Sequence, residues 1–285
     1  MSSAALGLLR ITRPVNSLTV GAAAVVGVLI ATKGALGGPF AEKAALCFVT
    51  GSALSGAAMA INDYYDREVD LINEPTRPIP SGAVKPREAL GLALLLILLG
   101  LAASSLTSLH CLALSLAAVL VAVGYATRGK STGLPGNAMV SFCTALPFIY
   151  GGAAVDPLDP SPYLFASMAF LTNMGREVVK GIVDVVGDSS MGIRTVAAVH
   201  GREAAAKLAS ALFLSAVGLS PAPWLLSLVS VYYLPLVVVC DTGLVRGAVA
   251  ILRDPSPEGA RRVKREVLLW MLVGLAAFVA GSALR

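Results

Sequence analysis

Residues 61–82 read INDYYDREVDLINEPTRPIPSG and follow directly on a stretch apolar enough to be a membrane helix. At about 100° per residue on an α-helix, Asn62, Asp66 and Asp70 stack on one face, with Asp63 at its edge. Carboxylates placed side by side repel one another and lose hydration at a bilayer boundary, so they require bound cations or paired bases. The face reads as a binding site for hard metal ions. A solvated loop is the plain alternative, since Arg67, Glu68 and Glu74 sit among the acids, but a loop has no use for the helical period.

The surrounding chain agrees with a membrane setting. Of its 285 residues, 56% are hydrophobic and 14% charged, which is too apolar for a soluble domain with a wet surface. The first residues lack the short apolar core and small-residue cleavage site of a removable signal peptide, so the first span is expected to stay. Cys47, Cys111, Cys143 and Cys240 are scattered singly, without the spacing of a zinc site, and read as small packing residues. His110 and His200 are equally isolated and enter no chemistry here.

Apolar runs of helix-spanning length occur near 15–32, 44–62, 88–106, 109–126, 136–154, 162–180, 203–219, 222–240 and 266–283. The expected fold is an all-α membrane protein, a bundle of nine transmembrane helices. Basic residues test that layout, because cytoplasmic loops are enriched in Lys and Arg. With nine spans, one side keeps only Lys33, Lys43 and Arg285 of the 22 basic residues. The N-terminus is therefore expected in the cytoplasm and the C-terminus outside. The net charge of +5 needs no nucleic acid; anionic headgroups or an anionic substrate account for it.

Between the second and third spans, Asn73, Pro75, Pro78, Pro80 and Gly82 break helix continuation and favour turns, so this loop is expected to fold over a site as a lid. The polar region from Asp241 to Glu266, with its run Arg261, Arg262, Lys264 and Arg265, reads as a leaflet-facing anchor.

A second acidic stretch, NMGREVVKGIVDVVGD over residues 173–188, closes the sixth span. On a continuing helix Asn173, Glu177, Lys180, Asp184 and Asp188 fall within about 80° of one another. An even number of spans separates the two stretches, so both end on one membrane side. Facing carboxylate clusters with cations between them make a seat for a diphosphate, whose remaining oxygens call for Arg or Lys. Arg13, Arg67, Arg77, Arg128, Lys130 and Lys180 all lie on that side. Lys130 stands out in YATRGKSTGLPGN, where Tyr125 ends the fourth span and Gly133 and Gly136 let backbone come close to a ligand.

NDYYDREVDLINEPTRPIPSG resembles the first aspartate-rich motif of the UbiA superfamily of intramembrane prenyltransferases. REVVKGIVDVVGD followed by GIRTVAAVHG is similar to its second motif, in the form found in the archaeal digeranylgeranylglyceryl phosphate synthases. Chlorophyll synthases share the NEPxRPIPSG wording but not REVVK. The resemblance covers the whole chain and implies one domain over residues 1–285, made of two similar four-helix units around spans two and six plus a ninth helix, with a central cavity. It implies a multi-pass protein of the cell membrane with its active site facing the cytoplasm.

The implied reaction is Mg²⁺-dependent prenyl transfer from a diphosphate. Asn62, Asp66 and Asp70, with Asp63 beside them, would hold one of two Mg²⁺ ions, and Asp184 and Asp188 the other. Asp66, Asp70, Asp184 and Asp188 carry the catalytic expectation. Gly181 stands where many members have a further Asp, leaving water or Glu177 to complete the second set. Arg67, Arg128, Lys130, Lys180 and Tyr125 are expected on the donor diphosphate. Arg13, Asn16 and Arg77 are expected on a lipid-like phosphate acceptor, geranylgeranylglyceryl phosphate. The alternatives are an aromatic or tetrapyrrole acceptor, a cation-coupled transporter, and a CDP-linked alcohol phosphotransferase. A transporter predicts acids at mid-membrane, and the phosphotransferase a DGxxAR-type run absent from this sequence.

Overall fold

The structure, a computed structural model, describes residues 3–190 and 192–284. Helices follow one another as α1 (Ser3–Ile11), α2 (Pro14–Ala31), α3 (Pro39–Asn73), α4 (Pro86–Thr107), α5 (Leu109–Thr127), α6 (Leu134–Val155) and α7 (Ser161–Val183). Then come α8 (Val185–Ser190), α9 (Val196–His200), α10 (Arg202–Leu219), α11 (Ala222–Leu225), α12 (Tyr233–Arg253) and α13 (Pro257–Ala283). Proline opens α2, α3, α4, α6, α7, α11 and α13 within their first two positions, where its missing N–H costs nothing and its fixed φ suits the helix.

Among the described residues, eight helices are long and apolar enough to cross a membrane. The chain is a multi-pass membrane protein. Helix α7, the expected sixth span, has 23 residues but is not one of the eight, because Asn173, Arg176, Glu177 and Lys180 lower its hydropathy. The expected eighth span, 222–240, is displaced. Pro221 and Pro223 cut it into short α11, and the membrane-length helix starts at Tyr233 and runs to Arg253. The polar region from Asp241 to Glu266 is accordingly helix on both sides of residues 254–256 rather than a loop.

The long helices form a closed ring, each packing on the next: α2, α3, α4, α5, α6, α7, α10, α12, α13 and back to α2. Helices α2 and α6 also cross inside it. At Gly151 an added Cβ would strike the backbone of Ala24 and Val28, so only glycine permits this approach, the small-residue packing favoured where lipid supplies no hydrophobic drive between helices. Phe278 of α13 closes the ring with its ring edge-on to Phe165 at 4.7 Å and to Phe148 at 5.8 Å, contacts worth about 1 kcal/mol each beyond the area they bury.

Helix α3 decides where the first motif sits. Its 35 residues span about 52 Å at 1.5 Å per residue, well beyond the roughly 30 Å of a hydrocarbon core. The acidic face belongs to its C-terminal overhang. No loop intervenes before Asn73, so the period read from the sequence is physically present. Beyond it, Ile79 and Val84 turn inward and are buried with Ile11, Ile61 and Ala89. The proline-rich loop is thus pinned over α1 and the end of α3.

Candidate active site

Asp63, Asp66 and Asp70 are all buried, at 4%, 8% and 6% exposure, and each meets a different base. Arg13 Nη2 donates to Asp63 Oδ1 at 2.7 Å, and Arg77 Nη1 to Asp70 Oδ2 at 2.6 Å, with Asp63 Oδ1 3.7 Å from the same nitrogen. Lys130 Nζ lies 2.6 Å from both oxygens of Asp66, and Asn62 Nδ2 donates to Asp66 Oδ2 at 2.9 Å. Buried charges persist only when paired and hydrogen-bonded in this way. Arg13 reaches its partner from a left-handed backbone (φ 46°, ψ 67°) at the α1–α2 corner, a conformation that a non-glycine residue adopts at a cost.

Lys130 is carried by a turn of 3₁₀-helix, Gly129–Thr132, between α5 and α6. Gly133 and Gly136 each bring backbone close to other backbone. Gly133 (φ +71°) lies against the carbonyl of Arg194, and Gly136 against that of Gly129, while Arg194 N donates to Ser131 O at 3.4 Å. These glycines let the Lys130 turn pack on the chain that follows the second acidic stretch.

That second stretch is not one helix. Helix α7 ends at Val183, Asp184 caps it with φ −98° and ψ 9°, and α8 starts afresh. The single helical wheel drawn from the sequence therefore stops at Lys180. Asn173 points inward and donates to Ser141 Oγ at 3.2 Å. Asp184 is exposed and Asp188 half-buried. Burial and then the neighbouring Asp184 charge push the Asp188 carboxyl up to about 6, while Lys180 and Lys130 pull it down. Lys130 therefore acts on both acidic stretches. Tyr125 lies within electrostatic reach of Lys180, Glu177, Asp66 and Asp188, residues of both stretches.

The remaining expected residues divide. Lys180 Nζ lies 3.3 Å from Glu177 Oε2, and Asn16 lines a cavity beside Arg176 and Glu177. Arg67 is occupied on its own helix, donating to Tyr64 O at 2.9 Å and stacking on the Tyr64 ring. Arg128 is exposed at the end of α5. Arg13 and Arg77, expected on an acceptor, are engaged by the first acidic face. Arg176, which no sequence pattern singles out, lines the same cavity as Asn16 and donates from Nη1 to Glu177 Oε1 at 3.2 Å. Its Nε is buried without a hydrogen-bond partner among the described residues, and it looks like an ordinary positive-inside residue until its cavity is seen.

Two apolar cavities lie below these charges. One, of about 210 Å³, runs between α2, α3, α4, α5 and α6; the other, of about 450 Å³, runs between α2, α6, α7, α12 and α13. Val20, Met59, Val140 and Thr144 line both. Met59 stands one helical turn before Asp63, so the shared wall lies directly beneath the acidic face.

The model of the UbiA prenyltransferase family matches residues 20–281. The chain belongs to this family. The digeranylgeranylglyceryl phosphate synthase of Halobacterium salinarum is 40% identical to it over 96% of each chain. A solved structure of a digeranylgeranylglyceryl phosphate synthase superposes with a TM-score of 0.83 at 29% identity, covering 99% of both chains. A UbiA homologue from Archaeoglobus fulgidus bound to GPP and Mg²⁺ has a TM-score of 0.66 at 19% identity over 95% of this chain and 99% of its own, a likeness of fold. As a member of the UbiA family the chain is a prenyltransferase.

Whether this prenyltransferase site suits a divalent cation follows from its donors. Among the described residues, no three His, Cys, Asp or Glu side chains converge closely enough to hold a metal by themselves, because bases stand between the carboxylates. The donor chemistry nonetheless fits a hard ion. Asn62 Oδ1 is buried with no hydrogen-bond partner among the described residues, on the amide whose Nδ2 donates to Asp66 Oδ2. At Gly181 an added Cβ would stand 3.2 Å from Thr195 Cβ, so a longer side chain there needs Thr195 to give by a few tenths of an ångström.

Proposed function

We propose that the protein transfers a geranylgeranyl group from its diphosphate to the hydroxyl of geranylgeranylglyceryl phosphate, a step of archaeal membrane ether-lipid synthesis. The observation that carries this reading is the pair of apolar cavities meeting under one cluster of acids and bases. Two greasy tails need two such spaces, whereas a small aromatic acceptor needs one. The names of the relatives over nearly the full chain support the same choice. A cation-coupled transporter is disfavoured, because the carboxylates of the first motif sit on the overhang of α3 and are already matched with bases.

Two Mg²⁺ ions are proposed, held by Asn62, Asp63, Asp66 and Asp70 on one side and by Asp184 and Asp188 on the other; they supply charge compensation for the departing diphosphate. The chain's own residues do the rest. Lys130 and Lys180 leave Asp66 and Glu177 to donate charge-assisted hydrogen bonds to diphosphate oxygens. The allylic carbon–oxygen bond breaks with its electron pair going to the diphosphate, and the dry helix walls exclude water from the electron-poor carbon. The acceptor hydroxyl bonds to that carbon and its proton leaves with the diphosphate. Arg176, at the mouth of the larger cavity, holds the acceptor phosphate, with Asn16 beside it.

In this reading the site opens to the cytoplasm of a cell-membrane protein, and α7 is the ninth span of one domain built from two four-helix units and a last helix. Membranes containing the protein should join labelled geranylgeranyl diphosphate to geranylgeranylglyceryl phosphate with Mg²⁺ and not with EDTA. Transfer to 4-hydroxybenzoate instead would refute the acceptor.

A further inference from the structure

The smaller cavity has a polar floor that its apolar walls do not predict. At its deep end, Tyr150 Oη of α6 hydrogen-bonds with Thr50 Oγ1 of α3 at 3.2 Å and with Ser104 Oγ of α4 at 3.1 Å. Ser115 Oγ of α5 donates to Ser104 Oγ at 2.9 Å. Four helices are thereby tied at one level. All four side chains are buried, none more than 5% exposed, and Thr50, Ser115 and Tyr150 line the cavity. A hydrogen-bonded plug in a low-dielectric interior resists opening far more than repackable aliphatic side chains would. Above it the bore is kept wide by Gly51, Ala57, Ala58, Ala118 and Ala122.

The upper end of this cavity reaches Ile61, next to Asn62 at the head of the acidic face. At 1.5 Å per residue, the stretch of α3 from Thr50 to Ile61 is about 17 Å long. Three backbone bonds of an extended chain cover about 3.6 Å, so the roughly sixteen main-chain bonds of four isoprenyl units reach about 19 Å. Floor and headgroup site are thus separated by close to one geranylgeranyl length.

We infer that the smaller cavity holds the tail of the prenyl donor and that the Thr50–Tyr150–Ser104–Ser115 plug is the ruler that sets its length. The inference rests on the prenyl-transfer reading above and adds to it which cavity takes the donor and what ends the chain. The acceptor's tail is left the larger cavity, whose polar mouth is Asn16, Arg176 and Glu177.

The test compares kcat/KM for geranyl, farnesyl, geranylgeranyl and geranylfarnesyl diphosphate, with Mg²⁺ and the glyceryl phosphate acceptor, in the full-length protein and two variants. Tyr150→Ala deepens the bore and should raise the geranylfarnesyl to geranylgeranyl ratio by about tenfold or more. Ala118→Phe raises a new floor one turn above Ser115 and should lower the geranylgeranyl to farnesyl ratio by about the same factor. If Tyr150→Ala does not fold, Ala118→Phe decides alone. Ratios that stay at the wild-type values in enzymes that still turn over would overturn the ruler. A wild-type protein that transfers none of the donors would instead remove the reading beneath it.

Discussion

Lys130 and Asp66, 64 positions apart in sequence, are joined by a bidentate contact in which Nζ lies 2.6 Å from each carboxylate oxygen. The lysine sits on the α5–α6 turn and the aspartate on the overhang of α3, so the contact fastens that turn to the end of α3.

Substituting Lys130→Ala should therefore have two effects. Prenyl transfer should fall by about a hundredfold, the usual scale for losing one donor to a developing negative charge. Without metal, Asp66 would be left buried and unpaired, so the melting temperature should drop in EDTA and recover with Mg²⁺. Thermal unfolding with and without the ion measures the second effect separately from the first.

The acidic residues should behave differently from structural ones. Asp66→Ala and Asp184→Ala are each expected to abolish turnover while leaving a monodisperse, helical protein by size-exclusion chromatography and circular dichroism. Near-normal transfer by either variant would break the two-cluster mechanism.

As a proposed Mg²⁺ ligand, Asp188 should make ion binding depend on pH. Its folded, metal-free carboxyl is raised to about 6 from an ordinary 3.8, so the folded state holds a proton that the unfolded chain has lost between those values. Stability of the metal-free protein should accordingly decline as pH rises from about 4 to about 6. Mg²⁺ needs the carboxylate, so its affinity should rise through pH 6, with proton release. Calorimetry at pH 6 in buffers of different ionisation enthalpy measures that release; its absence there would count against Asp188 as a ligand.

Arg176→Ala should raise KM for the glyceryl phosphate acceptor at least tenfold, on the order of the loss of one charge-assisted hydrogen bond, with little change in KM for the prenyl diphosphate. Equal effects on both substrates would show that Arg176 serves the donor.

Gly133→Ala tests the support of the Lys130 turn. At φ +71°, with the Arg194 carbonyl against the glycine, any side chain must displace the turn. Activity should fall more than tenfold, and stability by about 1–2 kcal/mol, as read by single-turnover assay and chemical denaturation.

The legible part of the molecule was its local part. Hydropathy located most of the membrane helices, and the four-residue spacing of Asn62, Asp66 and Asp70 identified one helical face, because both are properties of consecutive residues. Where proline intervened, that logic slipped. Pro221 and Pro223 moved the eighth span by a dozen residues, since an apolar run says nothing about where its backbone bends.

What the sequence by itself determined is that this chain crosses the membrane repeatedly, ends two of its helices in acid, and carries bases on the same side to answer them. Which base answers which acid was left to the tertiary structure: Arg13 to Asp63, Arg77 to Asp70, Lys130 to Asp66. So were the break at Asp184 and the two cavities under Met59. Pairing and voids arise where helices distant in sequence meet, and the strength of a charge contact depends on distance and burial, neither of which is written in the order of residues.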